Sequence, residues 1–98
     1  MRFEWDPAKA LANERKHNVS FDEAASVFGG FYLKRFDARR DYGEPRFVAL
    51  GLDSNGVILS VVYTARDESI RIISAWKASK HERETYTQAR AVGALRQP

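Results

Sequence analysis

An α+β domain built on a mostly antiparallel sheet is the fold class this sequence predicts, and three observations carry the prediction. Two Ser-x-x-Glu boxes, Ser20 to Glu23 and Ser79 to Glu82, have the spacing with which helices begin. Between them lies a run of β-branched and apolar segments cut by short turns, of which Ser54-Asn55-Gly56 has hairpin chemistry. The order is strand, helix, helix, four strands, helix, which is not the strict alternation that a parallel α/β sheet requires.

Met1 to Trp5 alternates apolar and polar residues and reads as one strand. Asp6-Pro7 ends it: Asp6 is a good N-cap and Pro7 suits the first helical position, so a helix runs from Pro7 to about Lys16. Its apolar face is thin, Ala8, Leu11 and Ala12, and Asn18 can take the left-handed conformation that stops it. The second helix opens at the Ser20 box, closes at Gly29-Gly30 and should bury Phe21, Ala24, Ala25, Val27 and Phe28. Phe31 to Phe36 is a strand, Asp37 to Pro45 a polar loop, and Arg46 to Asp53 a strand. Val57 to Arg66 is apolar almost throughout and belongs in the middle of the sheet. Asp67 to Ser69 turns the chain into a strand from Ile70 to Lys77, which feeds a helix from Lys80 to about Val92 and a frayed tail from 93 to 98. The helices are expected on one face of the sheet, with the opposite face partly open.

The 98 residues suit a single domain, and at 44% hydrophobic and 30% charged they describe an ordinary globular chain. With no cysteine there is neither a disulfide framework nor a thiolate zinc site. Arg2, Glu4 and Asp6 interrupt any leader-like apolar run and no segment approaches a membrane span, so a cytoplasmic location is expected. The net charge of +3 is unevenly spread. Residues 31 to 47 hold five basic and three acidic side chains, and 71 to 98 hold six and two. Such patches attract phosphate backbones, although a solvated surface also carries them.

The only histidines, His17 and His81, lack metal-ligand spacing, so neither metal nor other cofactor is expected. Gly29-Gly30 has no Lys-Ser/Thr after it to make a phosphate loop, and there is no Gly-x-Ser-x-Gly elbow. What remains is chemistry done with cations, an imidazole and aromatics. RNA cleavage fits: one group takes the 2′-hydroxyl proton, another serves the departing 5′-oxygen, and cations stabilise the phosphorane. The strand-to-helix junction from Arg71 to Tyr86 gathers Arg71, Lys77, Lys80, His81 and Arg83, while Trp76 or Tyr86 can stack an unpaired base. Each has a structural alternative, such as packing for Tyr86, apolar cover for Arg83, or pairing of Arg66 and Arg71 with Asp67 and Glu68. In a regular strand Arg71 and Trp76 face opposite ways, and only a bulge would bring both to one site.

Several spaced blocks carry a resemblance to a known family. Phe3-Glu4-Trp5-Asp6-Pro7, Lys9-Ala10, Asn13, Lys16-His17 and Val19-Ser20-Phe21 come first, with Glu23-Ala24 behind them. Val62-Tyr63-Thr64, Arg66, Arg71-Ile72-Ile73-Ser74-Ala75, Lys77-Ala78, Glu82-Arg83 and Tyr86 follow in order. Over residues 1 to about 90 the chain resembles the BrnT toxins of bacterial type II toxin–antitoxin systems. The resemblance implies a RelE-like sheet, with two N-terminal helices and one C-terminal helix packed on it. It implies ribonuclease activity that blocks translation, and neutralisation in a hetero-oligomer by a BrnA antitoxin through which operator DNA is bound. The family's motif positions carry over to Lys16, His17, Arg66, Arg71, Lys77, Glu82, Arg83 and Tyr86. With the basic junction they give catalytic candidates Arg66, Arg71, Trp76, Lys77, Tyr86 and His17, and RNA-binding candidates Lys16, Lys80 and Arg83. One position departs: where the family reads Ile-Ser-Ala-Arg-Lys-Ala, this chain has Trp76. An indole stacks or donates one hydrogen bond, whereas a guanidinium stabilises a phosphorane, so the substitution points to an attenuated toxin.

Overall fold

Asp6 and Ser20 set the first half of the molecule. The Asp6 carboxylate accepts the Ala8 N–H at 2.8 Å, and Ser20 and Glu23 close a reciprocal box at 3.0 Å each way. In the computed structural model, which describes residues 1–39 and 41–96, these caps open α1 (Pro7–His17) and α2 (Phe21–Ser26), the latter prolonged by a 3₁₀ turn at Val27–Gly29. Asn18 ends α1 in the left-handed region at φ 56°. The strands are β1 (Arg2–Glu4), β2 (Tyr32–Phe36), β3 (Phe47–Leu52), β4 (Ile58–Arg66) and β5 (Ser69–Lys77), and α3 (Lys80–Arg96) follows. They form one sheet in the order β1-β5-β4-β3-β2, antiparallel except where β1 runs parallel to β5. The long apolar run of β4 lies in the middle, buried from Leu59 to Thr64.

Hairpin chemistry places β3 against β4. Asp53 accepts the Asn55 and Val57 N–H groups at 2.8 Å each, and Gly56 takes φ 80°, which costs a glycine nothing. On β3, Gly51 leaves room that no side chain could share: a Cβ there would lie 2.9 Å from Tyr32 Cβ and 3.0 Å from Val27 Cγ1.

The register separates the sheet's faces. Phe47, Ala49, Leu59, Val61, Tyr63, Ile70, Ile72 and Ala75 look one way, and α1 and α2 bury them with Phe21, Ala24 and Val27. Phe28 meets Tyr32 and Tyr63 edge-on, both at 5.0 Å, and burial pushes the Tyr63 phenol up to about 12. The other face presents Val48, Ser60, Val62, Thr64 and Arg66 alongside Arg71, Ser74 and Trp76.

Three expectations need correction. The helices do not share a face: α3 lies on the second one, where Glu82 accepts the Ser60 hydroxyl at 2.8 Å. The helix also runs past Val92 to Arg96, because one glycine costs only about 1 kcal/mol against alanine in a helix and Ala94 and Leu95 favour continuing. Of the expected tail, only 97 and 98 lie outside the described residues. On α1 the inward face is Ala10 and Asn13, while Leu11 is 53% exposed. The bulge that would bring Arg71 and Trp76 to one face is present in β5: Val62 pairs with Ser74 and Tyr63 with Ile72, so Ile73 is an extra residue.

Candidate functional site

That extra residue decides which side chains meet. Beyond the bulge the parity of β5 is reversed, so Arg71, Ser74 and Trp76 stand on one face, opposite Thr64, Val62 and Ser60. β1 ends at Glu4, leaving the edge of β5 beyond Arg71 without a strand neighbour. Asn13 of α1 takes that place. Its amide nitrogen donates to the Ala75 and Val19 carbonyls at 2.9 and 3.0 Å, and its oxygen accepts the Ala75 N–H at 3.0 Å. A buried asparagine thus continues the ladder and fixes α1 beside the strand.

Between α1 and this edge lies a cleft of about 590 Å³, lined by Lys9, Asn13, Lys16 and His17 from α1 and by Ile73, Ser74 and Trp76 from β5. Spacing on the helix explains the first set, since positions 9, 13, 16 and 17 share one face. The rings of His17 and Trp76 are 6.2 Å apart, tilted by 46°. The 37–46 loop closes the cleft with Arg39. Among the described residues, no carboxylate lines it.

That loop is pinned at several points. Asp37, 1% exposed, extends the β2–β3 ladder through its N–H to Arg46 O at 2.8 Å. Its carboxylate receives Arg39 Nε and Nη2, both at 2.8 Å. Those hydrogen bonds hold the Asp37 carboxyl down at about 2 and push the Arg39 guanidinium above its ordinary value. The Arg46 guanidinium lies 4.0 Å over the Tyr42 ring, and the Thr64 hydroxyl donates to Pro45 O at 2.8 Å.

Farther along the same face, Arg66 and Arg71 face acids. Arg66 Nη2 is 3.2 Å from Glu44, and Glu4 stands 3.9 Å from Arg66 and 3.8 Å from Arg71. The remaining sequence candidates lie elsewhere. Lys77 is on the other parity, exposed at the strand end. Lys80 and Arg83 line a shallow depression on α3, and Arg83 Nη1 donates to Ala78 O at 2.9 Å. Tyr86 is 2% exposed and donates its hydroxyl to Phe31 O at 3.2 Å, the setting of a packing residue. His81 lines a separate groove with Leu33, Leu50 and Glu82. Burial alone would raise the Glu82 carboxyl, but hydrogen bonds from Ser79, Ser60 and Trp76 outweigh it and hold it below its ordinary value.

Of the sequence candidates, Lys16, His17 and Trp76 line the α1–β5 cleft; Lys9, Asn13, Ser74 and Arg39 line it as well and are not among those candidates. The helical spacing from Lys9 to His17 would have found Lys9 and Asn13. Arg39 was one of several charges in a loop with no periodicity to orient it.

A family profile described as "Ribonuclease toxin, BrnT, of type II toxin-antitoxin system" matches residues 5–82. The chain belongs to the BrnT family. The match spans α1, the 37–46 loop and the strands around the cleft, and stops at Glu82, short of Arg83 and Tyr86. The fold is similar to the 1.1 Å crystal structure of the Brucella abortus ribonuclease toxin BrnT, with a TM-score of 0.60 and 22% identity. That likeness covers 82% of this chain and 99% of the Brucella chain. Comparison with curated proteins gives no match. Membership makes this BrnT chain a ribonuclease toxin by family and implies an antitoxin partner. No helix among the described residues is long and apolar enough to cross a membrane.

Proposed function

We propose that this BrnT chain cleaves RNA in the cleft between α1 and β5, without a metal ion, and that a BrnA-type antitoxin neutralises it. The observation that carries this reading is the lining of one acid-free cavity by Lys9, Lys16, Arg39, His17 and Trp76. Cations to hold a phosphate, an imidazole to move a proton and an indole to stack a base are together there. His17 accepts the 2′-hydroxyl proton, and the 2′-oxygen bonds to phosphorus. The bond to the 5′-oxygen then breaks and that oxygen takes a proton from solvent. Lys9 and Lys16 stabilise the charge on the phosphorane, while Arg66 and Arg71 guide the strand along the same sheet face.

Trp76 stands where the family pattern has arginine, and it lowers turnover because it stacks without stabilising charge. The test is primer-extension mapping of a reporter mRNA in a cell-free extract. The chain as given should cut, a Trp76→Arg variant should cut faster, and a His17→Ala variant should lose cleavage while keeping its fold. Intact mRNA with both the parent chain and Trp76→Arg would overturn the ribonuclease assignment. A second reading, in which the chain binds its antitoxin but leaves RNA intact, is favoured by two details. Arg66 and Arg71 already face carboxylates, and Trp76 is held in the β4–β5 ladder opposite Ser60. Cleavage only by Trp76→Arg would establish it.

A further inference from the structure

Arg39 stands in none of the family blocks that this sequence displays, yet it is the best-oriented cation in the cleft. Asp37 explains why. A buried carboxylate is costly unless paired, and this one receives a guanidinium fork at 2.8 Å on each oxygen, the Arg39 backbone N–H at 3.3 Å and the Tyr42 hydroxyl at 3.4 Å. Asp37 is itself fixed by the sheet, through its N–H to Arg46 O. The fork therefore sets the plane of the Arg39 side chain, which remains 60% exposed and lines the same cleft as Ser74 and Trp76. Two of the five N–H donors of a guanidinium face Asp37, and the others suit phosphate oxygens.

The rest of the face sharpens the contrast. Arg66 and Arg71 share Glu4 at 3.9 and 3.8 Å, and Arg66 also hydrogen-bonds to Glu44 at 3.2 Å, so exposed carboxylates compete with an incoming phosphate there. Arg39 also faces a carboxylate, but a buried one, and among the described residues no acid lines the cleft.

We propose that the Asp37–Arg39 pair forms a phosphate-binding subsite for RNA, with Arg39 contacting a backbone phosphate and Asp37 as its positioning residue. In this chain Arg39 supplies from the loop the guanidinium that Trp76 no longer supplies from β5. This rests on the RNA-cleaving reading above, and the test separates the two.

Binding of a fluorescein-labelled 2′-O-methyl oligoribonucleotide, which cannot be cut at a methylated 2′-oxygen, is followed by anisotropy over a series of salt concentrations. Arg39→Gln should weaken binding about tenfold and reduce the slope of log affinity against log salt by about 0.7, the value for one single-strand phosphate contact. Arg39→Lys should keep the slope and lose affinity, because the charge survives and the fork does not. Arg39→Gln leaves Asp37 buried without its partner, so the Asp37→Asn/Arg39→Gln double variant repeats the measurement without that stability cost. Lys34→Gln, which removes a cation on β2 outside the cleft, should leave affinity unchanged. In a Trp76→Arg background the loss caused by Arg39→Gln should shrink, since either arginine serves the same phosphate. If the parent chain binds and Arg39→Gln and the double variant bind with its affinity and slope, the subsite is overturned while the RNA reading stands. If the parent chain neither binds the oligonucleotide nor cuts mRNA, both fail.

Discussion

On the face beneath α1 and α2, Val61, Tyr63, Ile72 and Ala75 meet Phe21, Ala24 and Val27. One residue along, the same two strands turn Val62, Thr64, Arg71, Ser74 and Trp76 the other way. The first set is almost wholly apolar and closed. The second mixes cations, hydroxyls and an indole, and ends in a cleft. Strand alternation, broken once by the bulge at Ile73, separates the side chains that hold the chain together from those that line the cleft, so substitutions on the two faces should act on different observables.

The largest stability effect belongs to the closed face. Phe21 is 2% exposed and sets its ring edge-on to Trp5 at 5.9 Å. Phe21→Ala should cost about 3–5 kcal/mol, a large part of the stability of a chain this size. Urea denaturation measures it, and a loss below about 1 kcal/mol would mean that α2 contributes little to the core.

Asn13 belongs to both regions, which makes it the sharper probe. Asn13→Ala removes three hydrogen bonds and leaves the Ala75 N–H and C=O at an edge where no strand follows. A buried group left unpaired costs about 1–3 kcal/mol, so the variant should lose roughly 2–3 kcal/mol. It should also loosen the cleft. Faster hydrogen exchange at Ala75 together with weaker RNA binding would show the coupling, whereas a stability loss with unchanged binding would separate α1's structural part from its place in the site.

Acid should act on the loop before it acts on the core. The Asp37 carboxyl lies at about 2 when folded, against 3.8 ordinarily, because Arg39 hydrogen-bonds to its charged form. A depressed carboxyl contributes stability that is complete above its unfolded value and lost as pH falls from there through the folded one. Stability should therefore decline between pH 3.8 and about 2, and Asp37→Asn should flatten that part of the profile. Thermal melts across this range at constant ionic strength measure the difference. An identical profile for both chains would show that Arg39 gives Asp37 no net stabilisation.

How much of this was legible beforehand follows from the kind of signal each feature leaves. Ser20 to Glu23, Asp6-Pro7 and Ser54-Asn55-Gly56 are local chemistry, and their elements stand within a residue or two of the expected bounds. Placing α3 was different: its side of the sheet depends on the Ser60 to Glu82 hydrogen bond, 22 residues apart in sequence. The bulge at Ile73 leaves no turn residue and no break in the β-branched run, so alternation counted through it assigns Trp76 to the wrong company. Likewise the motif blocks contain Asn13 without showing what it does, because its partner Ala75 is 62 positions away. Motif resemblance supplied Lys16 and His17 as a pair, but only the strand edge shows what they face.

Arg66 should give the smallest stability change and the most direct reading of the open face. Its contacts with Glu44 and Glu4 are exposed, and such pairs contribute up to about 1 kcal/mol. Arg66→Ala should melt within a few degrees of the parent chain, while RNA cleavage falls several-fold as the strand loses a guide outside the cleft. The size of that fall matters more than its existence. A loss as deep as that of His17→Ala would move the chemistry out of the cleft toward the Arg66 and Arg71 row, with Glu4 as the adjacent proton acceptor. A several-fold loss keeps the chemistry beside His17 and leaves Arg66 as a guide whose charge the two carboxylates beside it partly offset.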